Sequence, residues 1–269
     1  MNEISKAARV GSELSVGRWS WRSLATSNAA VFPYFQAIGT ICVAVALFMN
    51  QNWRWWLLAG VMYFLMSCLG LTVTYHRFLT HRSFTMAKWK EYLFCCFGAV
   101  GCTGSPLGWV VVHRVHHAHA DKPGDPHSPS LRHLEILAGR LDFSFNKWTM
   151  RRMVNEPFHR LLHEYYFLWL LAWAVILFVI SPKILLFGLL VPAGILLNVS
   201  SLSNYLNHKI GYRNFDTDDD STNNVLIALL AWGEGWHNNH HRNPRAWNLQ
   251  SRWWELDPTA WVIRCVRDR

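Results

Sequence analysis

The sequence predicts an all-α integral membrane protein: four transmembrane helices in two hairpins, topped by a cytoplasmic helical cap. Three observations carry that prediction. Apolar residues make up 51% of the 269-residue chain and charged residues 16%, against about 25% charged in an ordinary soluble domain. Four apolar stretches approach the roughly 20 helical residues that cross a bilayer core. The mean hydropathy, +0.07, is too low for membrane helices alone, so a large polar portion has to lie outside the lipid.

Residues 1–30 read as a cytoplasmic N-terminal segment without the apolar core of a secretory signal. Residues 31–269 read as one domain. Spans at 31–49 and 55–75 are joined by Asn50-Gln51-Asn52, and spans at 161–180 and 184–202 by Ser181-Pro182-Lys183. The cap comprises 76–160 and 203–269. Each polar turn carries one basic residue, Arg54 or Lys183, and all other Lys and Arg fall in the remaining segments. The positive-inside rule therefore places both termini and the long central segment in the cytoplasm, at a bacterial inner membrane or the endoplasmic reticulum. The net charge of +9 forms no basic stripe, which argues against nucleic acid. Tyr92–Val112 is long and apolar, but Gly101, Gly104, Pro106 and Gly108 would break a spanning helix. A crossing there would also separate histidines on its two sides, so it reads as buried or re-entrant. The six cysteines lack CxxC spacing and read as buried thiols, not as a disulfide framework or zinc site. The Asn198-Val199-Ser200 sequon lies in an apolar run and is discarded.

Nine of the fourteen histidines stand at the ends of spans or apolar runs. They are His76 and His81, then His113, His116 and His117, then His208, and finally His237, His240 and His241. On a helix, positions i, i+3 and i+4 share a face, so each HxxHH aims three imidazoles at one point. His76 and His81 differ by about 140° on an ideal α-helix; they serve separate metals, or the helix distorts between them. One ion takes about four such ligands. Two ions with four or five ligands each, and open positions, fit nine imidazoles. Nitrogen-rich sites with vacancies favour iron.

The series HRFLTHR, HRVHH, NYLNH and GEGWHNNHH resembles the membrane-bound fatty acid desaturases, in particular the Δ9 acyl-CoA (stearoyl-CoA) branch. Asp125-Pro126-His127, Gly211-Tyr212-Arg213, Gly233-Glu234-Gly235 and Arg252-Trp253-Trp254-Glu255 extend the likeness over roughly 31–263. The resemblance implies that 31–269 is a single desaturase domain whose cap holds a di-iron site. Its ligands would be the nine histidines named above, with Asn204 acting through a water. It implies two Fe2+ ions, dioxygen as co-substrate, a cis double bond (Δ9) as product, and an external electron donor such as ferredoxin or cytochrome b5. Thr103, Trp109 and Ser200 would shape the bend of an acyl tunnel, and Gly60 and Phe64 its end.

Asp125 and Glu234 are read as partners that orient imidazole N–H groups. Asp216, Asp218, Asp219 and Asp220 are read as capping the helix that follows them. His119, His127, His133, His159 and His163 are read as structural or headgroup-facing. The stretch LRHLEILAGRLDFSFNKW stands where the family carries an aromatic-rich tract with a further His-Xaa-Gly-Trp. Coenzyme A, acyl-carrier protein and glycerolipid therefore all stay open as the acyl carrier. Arg132, Arg140, Lys147, Arg151 and Arg152 suit a phosphate-bearing headgroup or anionic lipid equally. A fatty-acid or alkane hydroxylase could use the same histidine site. A transport protein would need ionisable residues within the spans, where Glu164 is the only Lys, Arg, Asp or Glu.

Overall fold

The first helix, α1 (Phe32–Phe48), starts with Pro33 in its first turn and is apolar throughout. It belongs to a computed structural model that describes residues 31–49, 52–140 and 155–268. The N-terminal segment 1–30, the turn residues Asn50 and Gln51, and the basic residues Lys147, Arg151 and Arg152 lie outside the described residues. Helix α2 (Trp53–Thr80) is opened by Asn52, whose side chain accepts from the Arg54 N–H at 3.0 Å. From Phe64 onward α2 winds as a π-helix. The Thr74 and Thr80 hydroxyls each donate to the carbonyl five residues back, Leu69 and Tyr75, at 2.8 Å. Such i→i+5 winding is rare and usually short, and it clusters at functional sites.

Helices α3 (Lys88–Val100) and α4 (Pro106–His119) come next. They are the two halves of the apolar run expected to be buried or re-entrant, and they break where glycine and proline predict. Cys102 and Gly104 take φ of 61° and 96°, and the Ser105 hydroxyl caps α4 by accepting from the Gly108 N–H at 3.1 Å. A short turn, α5 (Pro129–Arg132), is followed by a 3-10 stretch, His133–Ala138. Helices α6 (Pro157–Glu164) and α7 (Tyr166–Ile180) follow, then α8 (Pro182–Leu206), α9 (Val225–Leu230), α10 (His237–Arg242) and α11 (Pro258–Val266). Among the described residues there is no strand.

Helices stand at all four places where spans were expected, but their lengths differ from the prediction. By length and composition α2 and α8 are able to cross a membrane, and α6 with α7 passes as a pair bent by 71°. Helix α1, at 17 residues, is apolar but shorter. The third segment is therefore not one straight helix over 161–180. It starts at Pro157 and bends at Tyr165, and the histidines of α6 turn inward. His159 Nε2 lies 2.7 Å from Glu91 Oε1, and His163 Nδ1 lies 2.5 Å from the Ser105 hydroxyl. Both rings are buried, so they are structural and do not face headgroups. Helix α2 runs past the expected end at Tyr75 and carries His76 and Arg77 within it.

The main core joins α2, α3, α4, α7 and α8 through Met66, Tyr75, Cys95, Leu107, Tyr166 and Leu196. Helix α7 leaves Leu168, Leu171, Val175 and Val179 exposed, an apolar surface of the kind that meets lipid. All six cysteines are free, and Cys265 is exposed, contrary to the buried reading. Helices α1 and α8 approach so closely that a Cβ on Gly194 would meet the Gly39 carbonyl oxygen at 2.5 Å. Close backbone approach at small residues is how helices pack within lipid. Polar bonds seal the seam: Asn198 Nδ2 donates to Thr40 Oγ1 at 2.9 Å and the Ser201 hydroxyl to Gln36 Oε1 at 2.9 Å. Gly194→Val is expected to overpack this seam and cost about 1–3 kcal/mol, read as a lowered unfolding temperature in detergent. Gly60→Ala, with nothing within 4 Å of the new Cβ, is expected to leave it unchanged.

Candidate metal centre

Four segments bring the predicted histidines together: the end of α2 with the residue after it, α4, the residues just past α8, and α10. The nine rings fall into two groups. His76, His81, His113, His117 and His240 form one, and His116, His208, His237 and His241 the other, with the donor atoms of each within 4.8 Å of one another. In the first, Nε2 of His240 lies 3.0 Å from that of His76 and 2.9 Å from that of His117, and His113 and His81 approach at 3.1 Å. In the second, His208 and His237 approach at 3.0 Å and His116 and His241 at 3.3 Å.

The grouping corrects the expectation that each HxxHH aims three rings at one point. His113 and His117 share a group, as do His237 and His241, while His116 and His240 each join the other one. Residues i+3 and i+4 are themselves about 100° apart on an α-helix, so a box straddles two adjacent centres. The question over His76 and His81 resolves as distortion of the helix. The His81 N–H bonds to the His76 carbonyl five residues back at 3.2 Å, so residues five apart stack, and the two rings sit 4.9 Å apart.

Carboxylates hold the far side of four rings at Nδ1. Glu234 meets His76 at 2.6 Å and Asp125 meets His116 at 3.0 Å, as expected. Asp121 meets His208 at 2.8 Å and Asp219 meets His241 at 2.7 Å, two partners that sequence reasoning missed. Asp219 belongs to the acidic run assigned to helix capping. The cap of α9 is instead Asn224, whose side chain accepts from the Ile227 N–H at 3.1 Å. Burial opposes ionisation of Asp121 and Glu234, but hydrogen bonds and neighbouring positive charge outweigh it and hold both near 2. Asp125 and Asp219 are likewise held well below the ordinary carboxylate range. Burial and crowding by other imidazoles push His113, His117, His237 and His240 well below the usual histidine range, and His241 to about 4.

Neutral rings whose Nδ1–H is given to a carboxylate present a lone pair at Nε2. His116 and His241 both place Nδ1 on a carboxylate, and their Nε2 atoms, turned to the inner side of the group, approach to 3.3 Å. The donor set, all nitrogen, fits a first-row divalent metal. His127, read as structural or headgroup-facing, stacks on His116 at 4.2 Å beside this group.

Arg77, 1% exposed, ties the first box to the C-terminal segment. It donates to Glu234 Oε1 through Nε at 3.1 Å and Nη2 at 2.9 Å, and to Asp257 through Nη1 at 2.7 Å and Nη2 at 3.1 Å. Nothing in sequence singled it out beyond its position next to His76. Glu255, also buried, accepts from Asn239 Nδ2 at 2.9 Å between two ring-bearing positions of α10.

A cavity with about 930 Å³ of empty space, part of it open to solvent, borders both groups at His76, His113 and His237. Its apolar wall includes Leu71, Val112, Leu196, Val199 and Ala231. Thr103, Trp109 and Ser200, expected to shape the bend of an acyl tunnel, line it, and so does Asn204, expected to act through a water. Gly60 and Phe64 are not on its wall: Gly60 is exposed, and Phe64 packs edge-on against Trp232 at 5.4 Å. Helix α2 contributes Ser67, Leu71 and Thr72 in their place. Turns of five residues leading back from His76 bring Leu71 to its face. Arg77→Met is expected to strand two buried carboxylates and cost about 3–5 kcal/mol, measured by thermal unfolding against the parent chain.

A family profile described as fatty acid desaturase matches residues 53–266. The chain is 31% identical over 233 residues to the sn-1 stearoyl-lipid 9-desaturase of Anabaena variabilis, covering 83% of this chain and 85% of that one. It is 31% identical over 259 residues to the icosanoyl-CoA 5-desaturase of Limnanthes douglasii, covering 93% and 72%. It is 35% identical over 229 residues to the chloroplastic palmitoyl-monogalactosyldiacylglycerol delta-7 desaturase of Arabidopsis thaliana, covering 80% and 60%. These relatives differ in acyl carrier and in double-bond position, so the likeness does not single out the Δ9 acyl-CoA branch.

Proposed function

The chain belongs to the fatty acid desaturase family, and from that premise we propose that it is a di-iron oxidoreductase that introduces a cis double bond into a saturated fatty acyl chain. The observation that carries the reading is the gathering of nine imidazoles into two all-nitrogen groups, the donor atoms of each within 4.8 Å of one another, beside an apolar cavity. We take the ligands to be His76, His81, His113, His117 and His240 for one iron, and His116, His208, His237 and His241 for the other. Asn204, on the cavity wall, acts through a water. When bound, the iron pair supplies dioxygen activation and the oxidising power needed to remove hydrogen from an unactivated methylene.

The protein's own groups do the rest. Leu71, Leu196, Val199 and Ala231 hold methylenes by apolar contact and keep water from the reacting carbons. Thr103, Trp109 and Ser200 shape the channel where it passes the histidines. Glu234, Asp121, Asp125 and Asp219 keep an Nδ1 proton on each of four rings, so that Nε2 stays turned inward. The reaction consumes two electrons, which come from an external donor such as ferredoxin or cytochrome b5. Helices at all four expected places, with most basic residues outside them, support a four-span arrangement with both termini cytoplasmic. The likeness to a stearoyl-lipid 9-desaturase over 85% of that relative supports a Δ9 product.

Expression in a desaturase-deficient host, with a competent electron donor and fatty acid profiling by mass spectrometry, tests the reading. A new monounsaturated species is expected, lost on His237→Ala, and its double-bond position and lipid class report regiochemistry and carrier. Hydroxylated acids instead would transfer the site to hydroxylation. An unchanged profile would contradict both.

A further inference from the structure

The two histidine groups differ in what holds the far side of each ring. In the four-histidine group, three rings rest on carboxylates: His116 on Asp125, His208 on Asp121 and His241 on Asp219. The other bonds those carboxylates accept come mainly from hydroxyls and backbone N–H groups, such as Ser128 and Asp220 N–H on Asp121 and Thr217 and Ser221 N–H on Asp219. No guanidinium touches them among the described residues. In the five-histidine group only His76 rests on a carboxylate, and Glu234 shares its charge with Arg77. No carboxylate meets His81, His113, His117 or His240 among the described residues, and His240 Nδ1 is buried without a hydrogen-bond partner. A second guanidinium stands close by: Arg114, next to His113, donates to the Leu79 and Thr80 carbonyls just before His81, at 2.9 and 3.2 Å.

We infer that the two metal sites are unequal: the four-histidine site binds its ion more tightly and fills first, and the five-histidine site fills second and empties first. The inference rests on reading both groups as metal sites. A carboxylate on Nδ1–H makes the imidazole a stronger donor and sets negative charge against the dication; losing one such partner costs about 10–100-fold in metal affinity. Three such partners stand behind one group and a single, Arg-compensated one behind the other. The fifth imidazole works in the opposite direction, but it adds a neutral ligand where each carboxylate adds a full charge a ring's width from the ion.

The test is titration of the full-length protein, stripped of metal by chelator, with Co2+ alone, followed by calorimetry and visible absorption. Two phases of one equivalent each are expected. His237→Ala should remove the tight phase and His81→Ala the weak one. Asp219→Asn should weaken the tight phase about 10–100-fold and leave the weak one in place, and Glu234→Gln should do the reverse. If Asp219→Asn unfolds, the two histidine variants still assign the phases. Two equivalents taken up in one phase, or a tight phase lost with His81→Ala, would overturn the inequality alone. No Co2+ uptake by the folded protein would overturn the reading of the groups as metal sites as well.

Discussion

Nine imidazoles turned inward on each other's Nε2 atoms set the terms for the rest of this fold. Burial and crowding hold His113, His117, His237, His240 and His241 below the usual histidine range, because a second positive charge within a few ångströms is costly in a medium of low dielectric. A proton acceptor on a ring's outer side keeps its lone pair turned inward, and Glu234, Asp125, Asp121 and Asp219 serve four of the nine rings in this way. Arg77 in turn compensates Glu234 and is itself compensated by Asp257. Through Asp257 the constraint reaches α11, whose first turn the same carboxylate caps at 3.1 Å from the Ala260 N–H.

The backbone bends to the same demand. Helix α2 widens to i→i+5 winding so that His76 and His81 share a group, and α3 and α4 turn back on themselves so that the second box meets the first. Because α2, α4 and α8 carry or adjoin the histidines and also wall the cavity, a chain seated there lies beside both groups. Site and channel are two faces of the same helices, so a change in helix winding alters both together.

Much of this was legible in the sequence because it is local. Apolar length marks α1, α2, α7 and α8, glycine and proline mark the break between α3 and α4, and the HxxHH spacing marks the histidines that gather, though not how they divide between the two groups. Asp125 and Glu234 stand close enough to the boxes to be recognised as partners. Other features depend on distant chain. Asp219 reaches His241 only because the 216–221 loop folds over α10, and Asp121 reaches His208 across 87 residues. The π winding, with hydroxyl bonds from Thr74 and Thr80 to carbonyls five residues back, is recorded by no periodicity, and the family resemblance that implied Gly60 and Phe64 for the tunnel's end does not point to Ser67 and Leu71, which line the cavity. The bend at Tyr165 follows from His159 and His163 finding Glu91 and Ser105, residues of a different hairpin.

The most direct measurement of the central claim is anomalous-difference density at the iron absorption edge in crystals of the full-length protein purified from iron-replete cells. The account predicts two peaks, one enclosed by His76, His81, His113, His117 and His240 and one by His116, His208, His237 and His241, with nitrogen and water as the only ligands. A single peak, or an ion ligated directly by a cysteine or by the four carboxylates, would contradict it.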